Sequence, residues 1–517
     1  MPKTRCQPVP CPLDLAQPSH NQAGWGIGAL MNFSLTRTMI LSIALCAANT
    51  ALAQDGEVGV KQYDDGGTYE GTFKNGLQHG TGTYTLPNGY EYSGEWIDGE
   101  IRGTGVARFP NGSVYEGEFA RGKPNGVGKI VFTDGGTYEG TWEDGKITGQ
   151  GVAIYANGVR YEGGFRNAMH DGRGRMESPG GYTYDGDWVN GVKEGIARIT
   201  YPDGAIYEGE VARGAREGQG KLTMSDGLVY EGTWRAGQID GKGKLIQPNG
   251  DIYEGDLVAG RREGMGRVTY ENGDIYEGAF KDDRRHGEGT FTGTDGYAYT
   301  GSWVAGKISG QGRVTYPDGS VYEGAFRDDL ANGEGKIIYP DGSTYEGSWV
   351  GGVIEGAGRA TYPNGLVYEG EFENARNHGQ GVMTYADGYR YEGEWRNGQR
   401  DGQGIATYPD GTIYTGEFAA GQRHGQGKIV MPDGFTYEGA WQNGEISGQG
   451  VATYVNGDIY EGMFRQGKRQ GKGTMRYATG QEASGEWQDG ALTENTTPAE
   501  AVQPSEEAPA PSPSPSE

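Results

Sequence analysis

The stretch YPDGSVYEGAF, residues Tyr316–Phe326, returns with small variations about eighteen times and makes up most of the chain. The tyrosine of its Y-E-G motif recurs every 23 residues from Tyr69 to Tyr460 without an insertion or deletion, and a nineteenth copy has Ala483 in its place. Gly accounts for 99 of the 517 residues, and the aliphatic content is too low for several compact domains. A strict period of this length predicts a repeat architecture in which each unit packs on its neighbours.

Each unit reads as two short β-strands. With the Y-E-G tyrosine as position 0, the segment SVYEGAF around Tyr322 and the segment GEGKIIY after it alternate with the period of two that marks a half-buried strand. Neither segment is long enough for a helix, and their glycines would weaken one severely. Gly recurs at +2, +11 and +20 in every complete unit, and at +13 in all but one, where Ala197 replaces it.

The segment Pro317-Asp318-Gly319 typifies the connection from one unit to the next. Pro presets φ at the first turn position, and Gly takes the left-handed conformation that closes a three-residue hairpin with a bulge. A two-residue Asp-Gly type I′ turn is the alternative, but it would pair each tyrosine with position +16 instead of +15. Only the three-residue loop keeps the aromatic residues of successive units on one face.

This register separates an aromatic face from a charged face. The aromatic face collects Tyr at 0, Phe or Trp at +4 in all but two units, mostly aliphatic residues at +15 and an aromatic residue at +17 in twelve of eighteen units. Its glycines at +2, +11 and +13 are predicted to leave slots for the +4 rings, such as Phe326 and Trp349. The charged face carries an acid at +1 and often Lys or Arg at +14, so we expect Glu323 to lie opposite Lys336 as a cross-strand ion pair if the second hairpin loop centres near +7.

The predicted fold is therefore all-β. We expect an elongated single-layer antiparallel sheet of about 18–19 stacked 23-residue β-hairpins over residues 67–490, forming a twisted, solenoid-like ribbon. At ~4.8 Å per strand, each hairpin would add about 10 Å along the ribbon.

The N-terminal segment carries a secretory signal. Residues 31–53 combine a basic residue, Arg37, with an apolar run and an Ala51-Leu52-Ala53 cleavage site. We expect residues 1–30 to be unstructured and to lie upstream of the true start at Met31. A retained N-terminal anchor and a lipoprotein attached through Cys46 are the alternatives.

The expected location is outside the cytoplasm, in the periplasm or cell envelope if the host is a Gram-negative bacterium. All three cysteines precede the cleavage site, so the processed chain would use no disulfide. Residues 54–66 are predicted to be a short linker. The Pro-, Glu- and Ser-rich segment 491–517 is predicted to be a disordered tail.

The charge balance argues against nucleic acid as a partner. Removing residues 1–53 leaves 42 basic and 69 acidic residues, a net charge of −27. Such a charge repels nucleic acid and anionic lipid headgroups overall and favours solubility.

The motifs of the repeat do not indicate catalysis, a metal or a cofactor. Four of the five histidines after the signal lie at +10 and read as solvated loop residues, and the nearest two, His378 and His424, are two units apart, too far to share a metal. The Y-E-G glutamates form a ladder without a privileged pair for glycosidase chemistry. The irregular stretches ESPGG (177–181) and TGTDG (292–296) contain no nucleophile with a base, and the array lacks P-loop and G-x-S-x-G motifs.

The residues of the unit resemble the MORN repeat, whose pattern is Y-E-G-x-W/F-x-x-G-x-x-x-G-x-G-x-x-x-Y-P-N/D-G, over roughly Tyr69 to Gly490. The resemblance implies an antiparallel sheet of hairpins that serves as a scaffold, a dimerisation device or a membrane-junction element. Phospholipid binding is a further role that the family implies.

These observations predict an exported, non-catalytic scaffold or spacer that binds protein partners or itself through the aromatic face. A peripheral phospholipid-binding protein is the alternative, and an envelope enzyme is a third reading. The aromatic face needs cover, from its own glycine slots, from a second copy or from a partner. The predicted partner-binding residues are Tyr322, Phe326, Tyr345, Trp349, Tyr368, Phe372, Tyr391, Trp395, Tyr414, Phe418, Tyr437 and Trp441.

Overall fold

The two strands of each repeat pair as a β-hairpin, as the period of two requires. The computed structural model describes residues 56–495, and these residues are β-strands joined by short turns. The predicted signal peptide and most of the predicted tail lie outside the described residues. The chain divides into two compact units, each of many repeats. The first compact unit ends at Glu263 and the second begins at Gly264, so the division falls within one strand.

The first unit contains the following strands: β1 (Glu57–Gln62), β2 (Thr68–Lys74), β3 (Leu77–Thr85), β4 (Glu91–Ile97), β5 (Glu100–Arg108), β6 (Val114–Ala120), β7 (Lys123–Val131), β8 (Thr137–Glu143), β9 (Lys146–Ile154), β10 (Arg160–Arg166), β11 (Met169–Glu177), β12 (Thr183–Val189), β13 (Val192–Thr200), β14 (Ile206–Ala212), β15 (Ala215–Thr223), β16 (Val229–Arg235), β17 (Gln238–Ile246) and β18 (Ile252–Val258). Strand β19 (Arg261–Thr269) contains the boundary.

The second unit contains β20 (Ile275–Lys281), β21 (Arg284–Thr292), β22 (Ala298–Val304), β23 (Lys307–Thr315), β24 (Val321–Arg327), β25 (Leu330–Ile338), β26 (Thr344–Val350), β27 (Val353–Thr361), β28 (Val367–Glu373), β29 (Arg376–Thr384), β30 (Arg390–Arg396), β31 (Gln399–Thr407), β32 (Ile413–Ala419), β33 (Gln422–Val430), β34 (Thr436–Gln442), β35 (Glu445–Thr453), β36 (Ile459–Arg465), β37 (Lys468–Arg476), β38 (Glu482–Gln488) and β39 (Ala491–Asn495).

Within each unit, consecutive strands pair antiparallel, as β23 does with β24 and β24 with β25. The predicted all-β fold of stacked antiparallel hairpins is confirmed. One strand extends the array beyond its predicted bounds at each end, because β1 lies in the predicted linker and β39 begins the predicted tail.

The turn between units has the predicted three-residue loop. The Tyr316 N–H donates to Ser320 O at 2.8 Å, the Gly319 N–H donates to Tyr316 O at 2.9 Å, and Gly319 has a φ of 89°. The Asp318 carboxylate accepts the Ser320 N–H at 2.8 Å, which fixes the turn. Tyr322 therefore pairs with Val314, which occupies position +15.

The turn inside each unit is different. Arg327 pairs with Leu330 across a two-residue loop, Asp328-Asp329, whose φ angles of 50° and 70° are those of a type I′ turn. The register shifts between Gly324 and Phe326, which marks a β-bulge. The bulge places Phe326 opposite Ala331 instead of Gly333.

Candidate partner-binding groove

The twelve predicted partner-binding rings are buried in their own sheet. Each side chain of this set is no more than 7% exposed, and the position 0 tyrosines are 0–2% exposed: Tyr322, Phe326, Tyr345, Trp349, Tyr368, Phe372, Tyr391, Trp395, Tyr414, Phe418, Tyr437 and Trp441. They pack edge to face, with ring centroids 5.0 Å apart for Tyr322 and Phe326 and 5.1 Å apart for Tyr322 and Trp349. These rings form the core of the repeat, and partner binding by them stays a prediction.

The glycine slots at +2 and +13 hold a different ring from the one predicted. A Cβ on Gly335, at +13, would overlap the Tyr322 ring and lie 2.5 Å from its Cε2 atom, and a Cβ on Gly324 would lie 2.7 Å from the Tyr322 hydroxyl. The position 0 tyrosine, and not the +4 ring, therefore fills the slot of its own hairpin. The bulge explains the difference, because it moves Phe326 out of register with Gly333 of its own hairpin, and Phe326 lies opposite Gly310, the +11 glycine of the preceding hairpin.

The tyrosine is fixed in the slot by one hydrogen bond. The Tyr322 hydroxyl donates to Ala325 O at 3.0 Å, and the equivalent bond recurs in the other units, as in Tyr345 to Ser348 O at 3.0 Å. Burial raises the pKa of Tyr322 to about 12, so the phenol keeps its proton and remains a donor at neutral pH.

The tryptophans link neighbouring hairpins. Trp349 Nε1 donates to Gly335 O of the preceding unit at 3.3 Å, and Trp441 Nε1 does the same to Gly427 O at 3.0 Å. Because a glycine strand exposes its backbone, the indole both covers it and satisfies a carbonyl.

The accessible part of the aromatic face is the row at +17. Five successive hairpins of the second compact unit have a tyrosine at this position: Tyr316, Tyr339, Tyr362, Tyr385 and Tyr408. Tyr339 and Tyr362 are 36% and 40% exposed, in contrast to the buried rings beside them. The aromatic face is thus divided into buried rings at 0 and +4 and a partly exposed row at +17, which the predicted site residues omitted.

In the first compact unit, which ends at Glu263, the same arrangement of rings forms an open groove of about 850 Å³. Rings at +17 and +21, Phe109, Phe132 and Tyr90, line it together with turn residues such as Asp144 and Lys146. Buried core residues, including Phe119, Ile130 and Trp142, also line it. Such a groove offers apolar contact area with polar groups around it.

Cations at +9 lie over the buried rings. The guanidinium carbons of Arg216, Arg423 and Arg469 lie 4.0, 4.6 and 4.6 Å from the ring centroids of Trp234, Trp441 and Trp487. These are cation–π distances, so the arginines cover the core while keeping their charge. This row was not among the predicted site residues, although Lys or Arg at +9 in seven of the eighteen units is a visible signal.

Titratable groups gather in the repeat that begins at Tyr161 and contains the irregular stretch ESPGG (177–181), and Lys193 joins them from the next repeat. His170 stacks on Tyr161 at 3.6 Å between ring centroids, and its Nε2 lies 2.7 Å from the Tyr155 hydroxyl. Lys193 Nζ donates to the Tyr182 hydroxyl at 2.9 Å. Burial lowers the pKa of His170 to about 4, with a smaller effect of Lys193, and burial lowers the pKa of Lys193 to about 8.

The other four histidines lie in strands and not in loops as predicted: His79 in β3, His286 in β21, His378 in β29 and His424 in β33. Side chains at position +10 contact the backbone of the turn in the next hairpin. The Asp98 N–H lies 3.4 Å from His79 Nδ1, and in another unit the Asn190 N–H donates to Asp171 Oδ2 at 3.2 Å. The Ala305 N–H lies 3.4 Å from His286 Nδ1 in the same way, so His79 and His286 contact the turn of the next hairpin.

The charged face has the predicted register but a different ion pair. Glu323 is the cross-strand neighbour of Lys336, as predicted. Lys336 lies between Glu323 and Glu346, however, and its Nζ is 3.2 Å from Glu346 Oε2 of the next hairpin. The same +14 to +1 pairing joins Lys129–Glu139, Arg198–Glu208, Lys244–Glu254, Arg267–Glu277, Arg359–Glu369 and Lys428–Glu438.

Residues 56–495 contain no group of three or more His, Cys, Asp or Glu side chains placed to hold a metal ion. Among the same residues there is no helix with the length and apolar character needed to cross a membrane. The described residues present ring faces, partly covered cations and a ladder of ion pairs.

Together these features define a protein built from similar two-stranded hairpins, in which a tyrosine at position 0 fills a glycine slot in each complete repeat. The chain belongs to the MORN repeat family, whose pattern matches eighteen consecutive segments from residue 69 to residue 482. MORN repeats generally mediate protein or membrane-lipid interactions. Comparison with curated proteins found no match.

Solved structures show only distant similarity. The TCP domain of SAS-4 from Drosophila melanogaster, in complex with a proline-rich motif of Ana2, is 19% identical over 31% of this chain and 89% of that chain, with a TM-score of 0.21. The TCP10 domain of CPAP from Danio rerio is 16% identical over 43% and 93%, with a TM-score of 0.19. A streptogramin B lyase is 13% identical over 58% and 93%, with a TM-score of 0.11. Scores this low carry no functional argument.

Proposed function

We propose that the protein is an exported, non-catalytic MORN-repeat scaffold that binds other proteins in the cell envelope. The observation that carries the proposal is that the repeat buries its own core and leaves partly exposed rings at +17, five of them in successive hairpins from Tyr316 to Tyr408. A row of similar contacts at a fixed spacing suits an extended protein partner, which can bind several units at once.

The tyrosines of this row fit a protein partner for a physical reason. Each presents a flat apolar ring and a hydroxyl, and it loses little side-chain entropy on binding. Tyr339 and Tyr362 combine this chemistry with exposure. The acidic +1 ladder opposes anionic lipid headgroups, which supports protein rather than phospholipid as the ligand class.

A capture experiment tests the proposal. The processed protein would be recovered from its own envelope with its bound proteins, in parallel with a Tyr339→Ser, Tyr362→Ser variant. Val350→Ser is the matched control, because Val350 is 59% exposed but lies outside the +17 row. We expect the double variant to lose a defined set of proteins that the control retains.

Vesicle flotation provides the opposing result. Flotation of the protein with neutral or anionic vesicles, together with an unchanged set of captured proteins in the double variant, would replace this proposal with a lipid-binding role. Circular dichroism of each variant checks that the sheet is intact, as expected for substitutions of half-exposed residues.

A further inference from the structure

Strand β1 is an edge strand that repeats the internal pairing of the array. Among the described residues it pairs with β2 alone, in a register that places Gly59 opposite Gly71. The equivalent glycine pair joins other successive hairpins, as in Gly335 and Gly347. The outer edge of β1 therefore presents backbone groups without a strand partner among residues 56–495, which is a template for another strand.

The surroundings of Gly59 show an incomplete unit. A Cβ on Gly82, the +13 glycine of the first complete unit, would lie 2.5 Å from Tyr69 Cε2. The nearest atom to a Cβ on Gly59 is the Phe73 ring at 3.4 Å, an ordinary contact. Within residues 56–495, Gly59 thus has no tyrosine ring in its slot, in contrast to the +13 glycines of the complete repeats.

The exposed side chains of β1 are self-complementary about Gly59. The strand reads Glu57-Val58-Gly59-Val60-Lys61. Val58 and Val60 are 78% and 68% exposed, and Glu57 and Lys61 are also exposed. When a second copy of this strand runs antiparallel with Gly59 opposite Gly59, each Glu57 faces a Lys61 and each Val58 faces a Val60.

We propose that β1 pairs antiparallel with β1 of a second copy, about a two-fold axis through the Gly59 pair. The interface is isologous, so it closes as a dimer. Backbone hydrogen bonds would hold the two edges together, and the valine and ion pairs would fix the register. Lys61 Nζ lies 5.0 Å from the Tyr63 ring centroid, a contact that leaves its ammonium on the same face as Glu57.

The opposite edge strand does not have this property. An antiparallel copy of β39 centred on Thr493 would place Leu492 opposite Glu494. The adjacent hairpin also has Ala483 where the other units have tyrosine. The proposal is therefore specific to the edge that begins at Glu57.

The inference deepens the proposed scaffold role, since a dimer would present two arrays from one junction. Sedimentation velocity over a concentration series tests the proposed dimer. The processed wild-type protein is compared with variants in which the charges at positions 57 and 61 are reversed. We expect a reversible dimer that Glu57→Lys or Lys61→Glu each weakens about ten-fold, because each substitution turns both ion pairs into like-charge pairs. The Glu57→Lys, Lys61→Glu double variant restores the complementary pattern and should restore the dimer.

Glu116→Lys is the matched control, because it makes the same charge change at an exposed site in the interior of the array. A wild-type protein that stays monomeric at about 100 μM, or a double variant that dimerises no better than the single ones, overturns the proposal. Retention of captured partners by such a monomer would leave the scaffold proposal intact, so the two failures are distinguishable.

Cross-linking tests the register. Residues directly opposite in an antiparallel pair have Cα atoms about 4.5–5.5 Å apart, which a disulfide spans. Gly59→Cys in the processed chain should give a covalent dimer on mild oxidation, and Val455→Cys, at a residue 64% exposed, should not. Equal cross-linking of the two variants, or none at Gly59→Cys, contradicts the two-fold register.

Discussion

The glycine slot gives the most direct test of the repeat. In Gly335→Ala the new methyl group would overlap the Tyr322 ring, with Cε2 2.5 Å away, so the ring must move. Overpacking of this kind costs about 1–3 kcal/mol, and the hydrogen bond from Tyr322 to Ala325 O contributes about 1 kcal/mol more. The substitution also lowers the conformational entropy of the unfolded chain, which stabilises the folded state by about 0.4–1 kcal/mol. We expect a net loss of about 2 kcal/mol.

The Ala197 unit sets the lower end of this range. There the +13 position carries a methyl group natively, and Tyr184 is still fully buried, with its hydroxyl 2.7 Å from Asp187 O. The slot can therefore accept one methyl group after the ring adjusts. A larger substitution such as Gly335→Val should disrupt the hairpin.

Hydrogen exchange is the suitable assay, because a long repeat array does not unfold in one cooperative step. A loss of about 2 kcal/mol predicts roughly 30-fold faster exchange of the amides in β24, β25 and β26. Gly180→Ala is the control, since a Cβ on Gly180 has no neighbour within 4 Å and its φ is not left-handed. Wild-type exchange in Gly335→Ala, or an equal effect of Gly180→Ala, would refute the slot argument.

Three further predictions follow from the same contacts. Burial raises the pKa of the position 0 tyrosines, as for Tyr322 to about 12. The stability that these protonated phenols contribute is therefore complete below pH 10 and is lost as the pH rises to 12. Thermal unfolding midpoints should fall steeply over that range, and a flat profile to pH 12 would contradict this. Trp349→Phe should cost about 1–3 kcal/mol in hydrogen-exchange protection of the hairpin containing Gly335, because it removes the indole hydrogen bond and part of the buried ring that packs on Tyr322, and an unchanged exchange rate would contradict this. A double-mutant cycle should give Lys336 a coupling of roughly 0.2–1 kcal/mol with Glu346 and less with Glu323, and the reverse order would show that the ion pair forms inside the hairpin.

The sequence predicted the strands, the three-residue turn and the pairing of Tyr322 with Val314, because those features depend on local chemistry and on the period. Pro317-Asp318-Gly319 permits few conformations, and a shift of one residue would have placed the rings on both faces. The resemblance to the MORN repeat rested on the same spacing, and the family comparison confirmed it.

The filling of the slots depended on a feature that the pattern does not reveal. Rings at 0 and +4 share a face, so alternation alone cannot distinguish which one lies over Gly335. The bulge between Gly324 and Phe326 decides it, and no proline or change of period marks that position. The direction of the Lys336 side chain was equally hidden, because an acid lies on each side of it.

The indole hydrogen bond between hairpins has a consequence for how such a chain changes length. Each Trp at +4 covers the glycine strand of the unit before it, and Trp units alternate with Phe units over most of the array. Gain or loss of 46 residues within such a stretch would recreate every contact at the joint, whereas gain or loss of 23 would place two Trp units or two Phe units side by side. The expected unit of duplication or deletion in this protein is therefore the pair of hairpins. Relatives of different length should differ by multiples of 46 residues more often than by odd multiples of 23.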